Sequence, residues 1–166
     1  MSFHSITNIL REYDQKQELL FDFTQKMEVL VRELLYAYNI SVHSVTSRLK
    51  KRDSLEEKII EHKLDYSELC EITDISGVRV ITYFSDEVYL IANIIEKEFE
   101  IIPIHSQDKL ALLDPDRFGY LSLHYVVKLN DERKNQTEYN RFCDCLFEIQ
   151  IRSILRARAI DMFVRL

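Results

Sequence analysis

The stretch FGYLSLHYVVKL, residues 118–129, alternates between apolar and polar side chains. Successive side chains of a β-strand point to opposite faces, so this alternation predicts a strand with two unlike faces. The apolar face carries Leu123, Tyr125, Val127 and Leu129. The polar face carries Tyr120, Ser122 and His124. Such a strand is either an antiparallel strand with a solvated face or the floor of a binding site.

A second stretch, RFCDCLFEIQIRS at residues 141–153, shows the same asymmetry and predicts the last strand. Its apolar side carries Cys143, Cys145, Phe147, Ile149 and Ile151, and its polar side carries Asp144, Glu148, Gln150 and Arg152. If the polar connection 130–140 joins the two strands as an antiparallel pair, their polar faces coincide. A polar sheet surface is costly in apolar surroundings but inexpensive where it lines a wet cleft, which favours the binding-site interpretation.

The composition describes one domain of ordinary globular character. The chain has 166 residues, of which 46% are hydrophobic and 30% charged, with two glycines and two prolines, so long flexible linkers are not expected. No apolar run reaches the length of a membrane span, and the first residues lack the features of a signal peptide, so we expect a cytoplasmic protein without membrane attachment. The net charge of −6 gives no overall attraction to nucleic acid. The odd number of cysteines, without a Cys-x-x-Cys pair, predicts buried thiols in a reducing compartment.

The remaining pattern predicts helices around a sheet. An amphipathic helix is expected from about Ile6 to Tyr38, packed on the domain or forming an oligomer interface. Strands are expected at 40–47, 78–83 and 100–105, and helical segments from Asp53 or Ser54, at 66–72 and after Ser85. The fold class is therefore α+β, with a mixed sheet of about five strands flanked by helices and a long N-terminal helix.

Two short segments carry groups suited to phosphate or metal. Arg48, Lys50, Lys51 and Arg52 precede a predicted helix N-terminus, where cations and free N–H groups favour anions, although a solvated basic turn has the same pattern. Asp74 directly precedes a buried strand, a common place for a metal ligand and for a turn cap alike.

Four ordered motifs closely resemble the synthetase domain of the RelA/SpoT family, which makes guanosine tetra- and pentaphosphate. The matching residues are Arg48, Lys50, Ser54 and Lys58; Asp74, Gly77 and Arg79; Gly119, Tyr120, Ser122 and His124; and Glu148, Gln150 and Arg152. The resemblance runs from about Val45 to Leu155. It divides the chain into an N-terminal helix at 1–39, a synthetase core at 40–155 and an atypical short tail at 156–166.

The resemblance implies a nucleotidyltransferase-like fold that transfers pyrophosphate from ATP to the 3′-hydroxyl of GDP or GTP in the stringent response. It implies that Asp74 binds Mg²⁺ and that Glu148 takes the proton of the 3′-hydroxyl or completes the metal site. ATP would be held by Arg48, Lys50, Ser54 and Lys58, with Arg48 stacked on adenine. The acceptor nucleotide would be held by Tyr120, which stacks on guanine, and by Ser122, His124, Gln150 and Arg152. Arg79 would contact phosphate or brace the site.

Three departures from the family pattern keep alternatives open. Asp116, Arg117 and Phe118 stand where many members carry a Lys and an Asn, and Leu121 stands where a basic or amide residue is usual. Such changes resemble a toxin-like branch that transfers pyrophosphate to the 3′ end of tRNA or to adenosine nucleotides. The ending ILRARAIDMFVRL lacks the expected His and Trp, which would suit a shortened, inactive module that binds nucleotide or a partner. The His-Asp dipeptide of the family's hydrolase domain does not occur, so a synthetase without hydrolase is expected.

Overall fold

The structure is a computed structural model that describes residues 3–61, 66–108 and 122–155. The described strands are β1 (Ser44–Leu49), β2 (Ser76–Phe84), β3 (Phe99–Ile101), β4 (Gln107–Asp108), β5 (Ser122–Leu129) and β6 (Phe147–Leu155). The described helices are α1 (Phe3–Ala37), α2 (Arg52–Glu61), α3 (Ser85–Glu98) and α4 (Asp131–Lys134). Short 3₁₀ turns lie at Leu69–Glu71, Pro103–His105 and Asn140–Phe142.

The strands form one mixed sheet in the order β1-β2-β6-β5-β3, and β4 pairs with β5 beside this path. β2 and β6 run parallel, whereas the other pairs are antiparallel. The expected antiparallel pairing of the last two long strands is confirmed, with His124 opposite Gln150 and Ser122 opposite Arg152. The α+β class with a mixed sheet is confirmed as well.

Helices α1 and α3 cover the same face of the sheet. The periodic apolar residues of α1, including Phe23, Met27 and Val31, are fully buried, and α3 buries Val88 and Ile91 in the same cluster. This cluster also contains the inward residues of the strands, namely Val45, Val78, Val80, Leu123, Val127, Phe147, Ile149 and Ile151. Burial of each large apolar side chain stabilises the fold by roughly 1.5–3 kcal/mol, so this face supplies most of the core.

The N-terminal half of α1 belongs to a second apolar cluster, which joins it to the helix that follows the basic segment and to the residue after Asp74. Leu10 and Tyr13 of α1 pack there with Leu55 and Ile59 of α2 and with Ile75, which follows Asp74. At its other end α1 stops at Ala37, and Asn39 adopts a positive φ of 56° that lets the Ile40 N–H bond back to the Leu35 carbonyl. The observed helix end therefore lies within one residue of the end predicted near Tyr38.

Several predicted boundaries are wrong. The first strand is not Ile40–Ser47 but Ser44–Leu49, because its pairing with β2 extends to Leu49 opposite Ser76. The strand predicted at 100–105 ends at Ile101, since Pro103 starts a 3₁₀ turn. Within the predicted helical segment 66–72, only the 3₁₀ turn at Leu69–Glu71 forms.

The last strand begins at Phe147 rather than at Arg141, because residues 140–142 form a 3₁₀ turn instead. Cys143 and Cys145 therefore precede the strand and do not lie on its face. The prediction of buried thiols is wrong for Cys70 and Cys143, which are exposed, while Cys145 is partly buried. The predicted strand includes six residues, 141–146, that precede Phe147, because hydrophobic alternation alone does not distinguish a strand from a compact turn.

Some expectations lie outside the described residues. These are the strand start at Phe118–Leu121, including Gly119 and Tyr120, and the tail 156–166. The division into a helix, a core and a tail stays a prediction. Within the described ranges, no helix combines the length and the apolar composition needed to cross a membrane.

Candidate active site

The face of the sheet opposite α1 and α3 carries most of the predicted site residues in adjacent rows. The register places Arg48 beside Gly77 and Gly77 beside Glu148. The next row contains Thr46, Arg79, Gln150 and His124, and a further row contains Arg152 and Ser122. Residues paired across neighbouring strands point to the same side of a sheet, so these side chains share one surface.

A cavity opens over the first two rows. Its walls are formed by Thr46, Arg48, Lys50, Asp74, Gly77, Val78, Arg79, Glu148 and Gln150. Asp74 enters this cavity from the turn before β2, and Glu148 is the second residue of β6. The parallel pairing of β2 with β6 sets Gly77 opposite Glu148, which brings the two carboxylates to the same end of the sheet. Gly77 has no side chain, so the floor between Arg48 and Glu148 stays open.

Asp74 is held by two lysines. The Lys58 ammonium lies 2.7 Å from Oδ1, and the Lys50 ammonium lies 3.1 Å from Oδ2. Burial raises the pKa of the Asp74 carboxyl, but Lys58 and then Lys50 outweigh that effect and hold the pKa below its ordinary value. Asp74 is therefore ionised at neutral pH.

Glu148 is oriented by the neighbouring strand residues. His124 Nδ1 lies 2.8 Å from Glu148 Oε1, and Gln150 Nε2 donates to Oε2 at 3.1 Å. Burial and the nearby Asp74 raise the pKa of Glu148, but His124 and Gln150 lower it to below its ordinary value. Within the described part of the chain, His124 Nε2 and Ser122 Oγ are buried without a hydrogen-bond partner. Two buried polar atoms therefore remain available beside the site.

The same surface is cationic although the whole chain is acidic. Arg48 and Arg79 line the cavity, Arg152 lies exposed in the third row, and none of the three forms an ion pair with a described carboxylate. Arg79 Nε donates to Gln150 Oε1 at 3.3 Å. With Lys50 and Lys58, the predicted site residues contribute five cations against two carboxylates. Such a local excess attracts a polyphosphate despite the net charge of −6.

The cavity offers two carboxylates for a metal ion, and the described residues contain no cluster of three metal-binding side chains. Mg²⁺ is commonly bound by one or two carboxylates, with waters and substrate phosphates completing its octahedron. Asp74 and Glu148 therefore fit a metal that arrives with nucleotide rather than one held by a complete protein cage.

The structure does not bring every predicted residue to the cavity. Ser54 lies in the first turn of α2, outside the cavity walls, and Lys58 reaches the site through Asp74. Thr46 was missed by the sequence reasoning. Thr46 lies two positions before Arg48 on β1, so the two side chains share one face of that strand. The predicted strand ends at residue 47 and therefore does not include Arg48.

Comparison with known proteins identifies a family and a relative of this chain. A family model described as a region found in RelA / SpoT proteins matches residues 47–161. GTP pyrophosphokinase YwaC of Bacillus subtilis is 29% identical over 152 residues, which are 85% of this chain and 69% of that protein.

Solved structures show the same fold. A GTP pyrophosphokinase family protein from Streptococcus pneumoniae superposes with a TM-score of 0.64 at 25% identity, over 92% of this chain and 73% of that one. The small alarmone synthetase 1 of Bacillus subtilis bound to its product pppGpp gives a TM-score of 0.63 at 22% identity, over 87% of this chain and 74% of that one. Since the family model spans well over half of the sequence and includes every predicted site residue, this chain belongs to the RelA/SpoT family.

Proposed function

We propose that this protein is an alarmone synthetase that transfers pyrophosphate from ATP to the 3′-hydroxyl of GDP or GTP. The observation that carries the proposal is the meeting of Asp74 and Glu148 in one cavity among five cationic site residues. Family membership and the similarity to a GTP pyrophosphokinase support it. Both nucleotides are cytoplasmic metabolites, so we expect the reaction to take place there.

In the reaction, the 3′-oxygen of the acceptor forms a bond to the β-phosphorus of ATP, and the bond between that phosphorus and the α–β bridging oxygen breaks, which releases AMP. Catalysis of such a transfer depends mainly on alignment and on neutralising charge. Lys50 and Arg48 line the cavity, and Lys58 contacts Asp74 from outside the cavity walls, so we assign these three residues to ATP. We assign Arg79 to phosphate as well.

Glu148 is the residue we assign to the proton of the 3′-hydroxyl. It is ionised, half-buried and fixed by hydrogen bonds to His124 and Gln150, so its carboxylate is ready to accept a proton as the new bond forms. The acceptor is then expected over the β5–β6 side of the surface, where the unpartnered atoms of His124 and Ser122 lie. Gln150, Arg152 and Tyr120 complete the assignment to the acceptor.

Mg²⁺ is the metal we propose for this site, with Asp74 and Glu148 as its protein ligands. When bound, it would neutralise the charge of the transferred group. The residues of the chain do the remaining work: the lysines and arginines hold phosphates, and His124 and Gln150 hold Glu148 in place.

The test is to incubate the purified protein and Mg²⁺ with labelled ATP and with GDP, GTP or deacylated tRNA in separate reactions. A 3′-pyrophosphorylated guanine nucleotide and AMP should form, and Asp74→Asn and Glu148→Gln should lower the rate by roughly 10²–10⁴-fold. Glu18→Gln, a change of the same kind at an exposed position of α1, serves as the control. Lack of product with every guanine nucleotide refutes the proposal, and product with tRNA alone supports the toxin-like alternative.

A further inference from the structure

Helix α1 contacts the strand segment that carries two of the proposed ATP-binding cations. We name Ser47–Lys50, at the end of β1 and just beyond it, the donor segment. All of α1 precedes the region that the family model matches, because that region begins at residue 47. The sequence pattern predicts that α1 packs on the domain or forms an oligomer interface, but two of its polar side chains also bind the donor segment.

Glu28 holds the first residue of the donor segment. Its Oε2 accepts hydrogen bonds from the backbone N–H of Ser47 at 2.9 Å and from the Ser47 hydroxyl at 2.5 Å. Its Oε1 accepts from Arg32 at 2.8 Å, and Arg32 in turn donates to the Val45 carbonyl. Glu28 and Arg32 thus bind the backbone of β1, whose other side pairs with β2. The pKa of Glu28 is held below its ordinary value, first by the Ser47 hydroxyl, so the carboxylate is charged.

Tyr13 holds the last residue of the donor segment. Its ring is buried, with 1% of the residue exposed, and its hydroxyl donates to the Lys50 carbonyl at 2.6 Å. The Lys50 N–H is bound on its other side by the Ile75 carbonyl at 2.7 Å. Lys50 is therefore fixed between α1 and the residue that follows Asp74.

We propose that Glu28 and Tyr13 are positioning residues that set the donor segment for ATP. Ser47 faces α1, so Arg48 faces the cavity, and its backbone position depends on the neighbouring bond to Glu28. Neither α1 residue lines the cavity, so both act through Arg48 and Lys50. The inference rests on the proposed function, because it assigns the donor segment to ATP. It predicts a defect confined to the donor substrate.

The experiment measures KM for ATP, KM for GTP and kcat in Glu28→Ala, Glu28→Gln and Tyr13→Phe. In Glu28→Ala the KM for ATP should rise roughly tenfold, a factor equal to about 1.4 kcal/mol. The KM for GTP should not change. Glu28→Gln keeps one oxygen that can accept from Ser47 and should recover part of the affinity. Calorimetric binding of a non-hydrolysable ATP analogue gives the same comparison without turnover.

Two matched controls separate positioning from general stability. Glu18→Gln removes an exposed charge from the same helix, and Tyr38→Phe removes a tyrosine hydroxyl that bonds Glu98, away from the donor segment. Both should keep the wild-type KM for ATP. A general loss of folded protein would lower kcat alone, because KM does not depend on the active fraction. Equal changes in both KM values, or no change in either, overturn the inference, while the activity of the wild type still supports the proposed function. A wild-type protein that neither forms product nor binds the ATP analogue refutes the inference and the proposed function together.

Discussion

Gly77→Ala tests whether the substrates bind in the cavity that Gly77 lines. An added Cβ would lie 3.6 Å from the Glu148 carbonyl oxygen and 3.9 Å from the Arg48 carbonyl oxygen, which are ordinary van der Waals distances. The backbone therefore accepts the methyl group, and the smaller entropy of the unfolded chain should raise the free energy of unfolding by about 0.4–1 kcal/mol. For a chain of this size, such a gain corresponds to a rise of about 1–4 °C in the midpoint of thermal unfolding.

Activity should respond in the opposite direction. Gly77 faces the cavity between Arg48 and Glu148, so its methyl group would lie on the floor where the reactants must approach. Since a displacement of about 1 Å from the reactive geometry costs up to ~10²-fold, kcat/KM should fall by roughly 10–10²-fold. The assay is AMP release at subsaturating ATP, beside a thermal melt of the same preparation. Ser44→Thr adds a methyl group to the same face of the sheet, on the neighbouring strand β1 and outside the cavity, and should leave both values near wild type. A stable Gly77→Ala protein with full activity would refute the assignment of this cavity to the substrates.

Three further predictions concern charge and packing. The folded-state pKa values of Asp74 and Glu148 lie below their ordinary values near 4, so the stability that these carboxylates contribute is complete above about pH 5 and is lost as the pH falls through the folded-state values. Urea titrations at several pH values should show this loss of stability in acid, and Asp74→Asn should show a smaller loss. Lys58→Gln should weaken binding of a non-hydrolysable ATP analogue by about tenfold in calorimetry and leave GDP binding unchanged, since one charge-assisted contact is worth about 1.5 kcal/mol or more. An equal loss of affinity for both nucleotides would contradict the assignment of Lys58 to ATP. Phe147→Ala should lower the free energy of unfolding by about 3–5 kcal/mol in urea, because this fully buried ring contacts Phe23 edge-on with centroids 5.5 Å apart; a cost below 1 kcal/mol would show that the core is packed differently.

Local pattern was enough to predict the elements that are long and strongly periodic. The 3.6-residue repeat of α1 and the two-residue repeats of β5 and β6 each follow from the geometry of a single element, which needs no knowledge of the rest of the chain. The boundaries of some elements do not follow from local pattern. The end of β1 depends on its pairing with β2, and the start of β6 depends on a turn at residues 140–142, so both are decided by contacts that a local pattern does not contain.

The sequence by itself determined which side chains share a strand face and, through ordered motifs, which chemistry they suit. Only the tertiary structure decided how these side chains meet. The parallel pairing of β2 with β6 brings Asp74 and Glu148, 74 positions apart, into one cavity, and α2 folds back to place Lys58 against Asp74. The bond from Glu28 to Ser47 is likewise invisible in the sequence, because helix and strand meet there only after the apolar face of α1 is buried on the sheet. Alternation is a property of the local backbone, whereas convergence of distant residues is a property of the packed core.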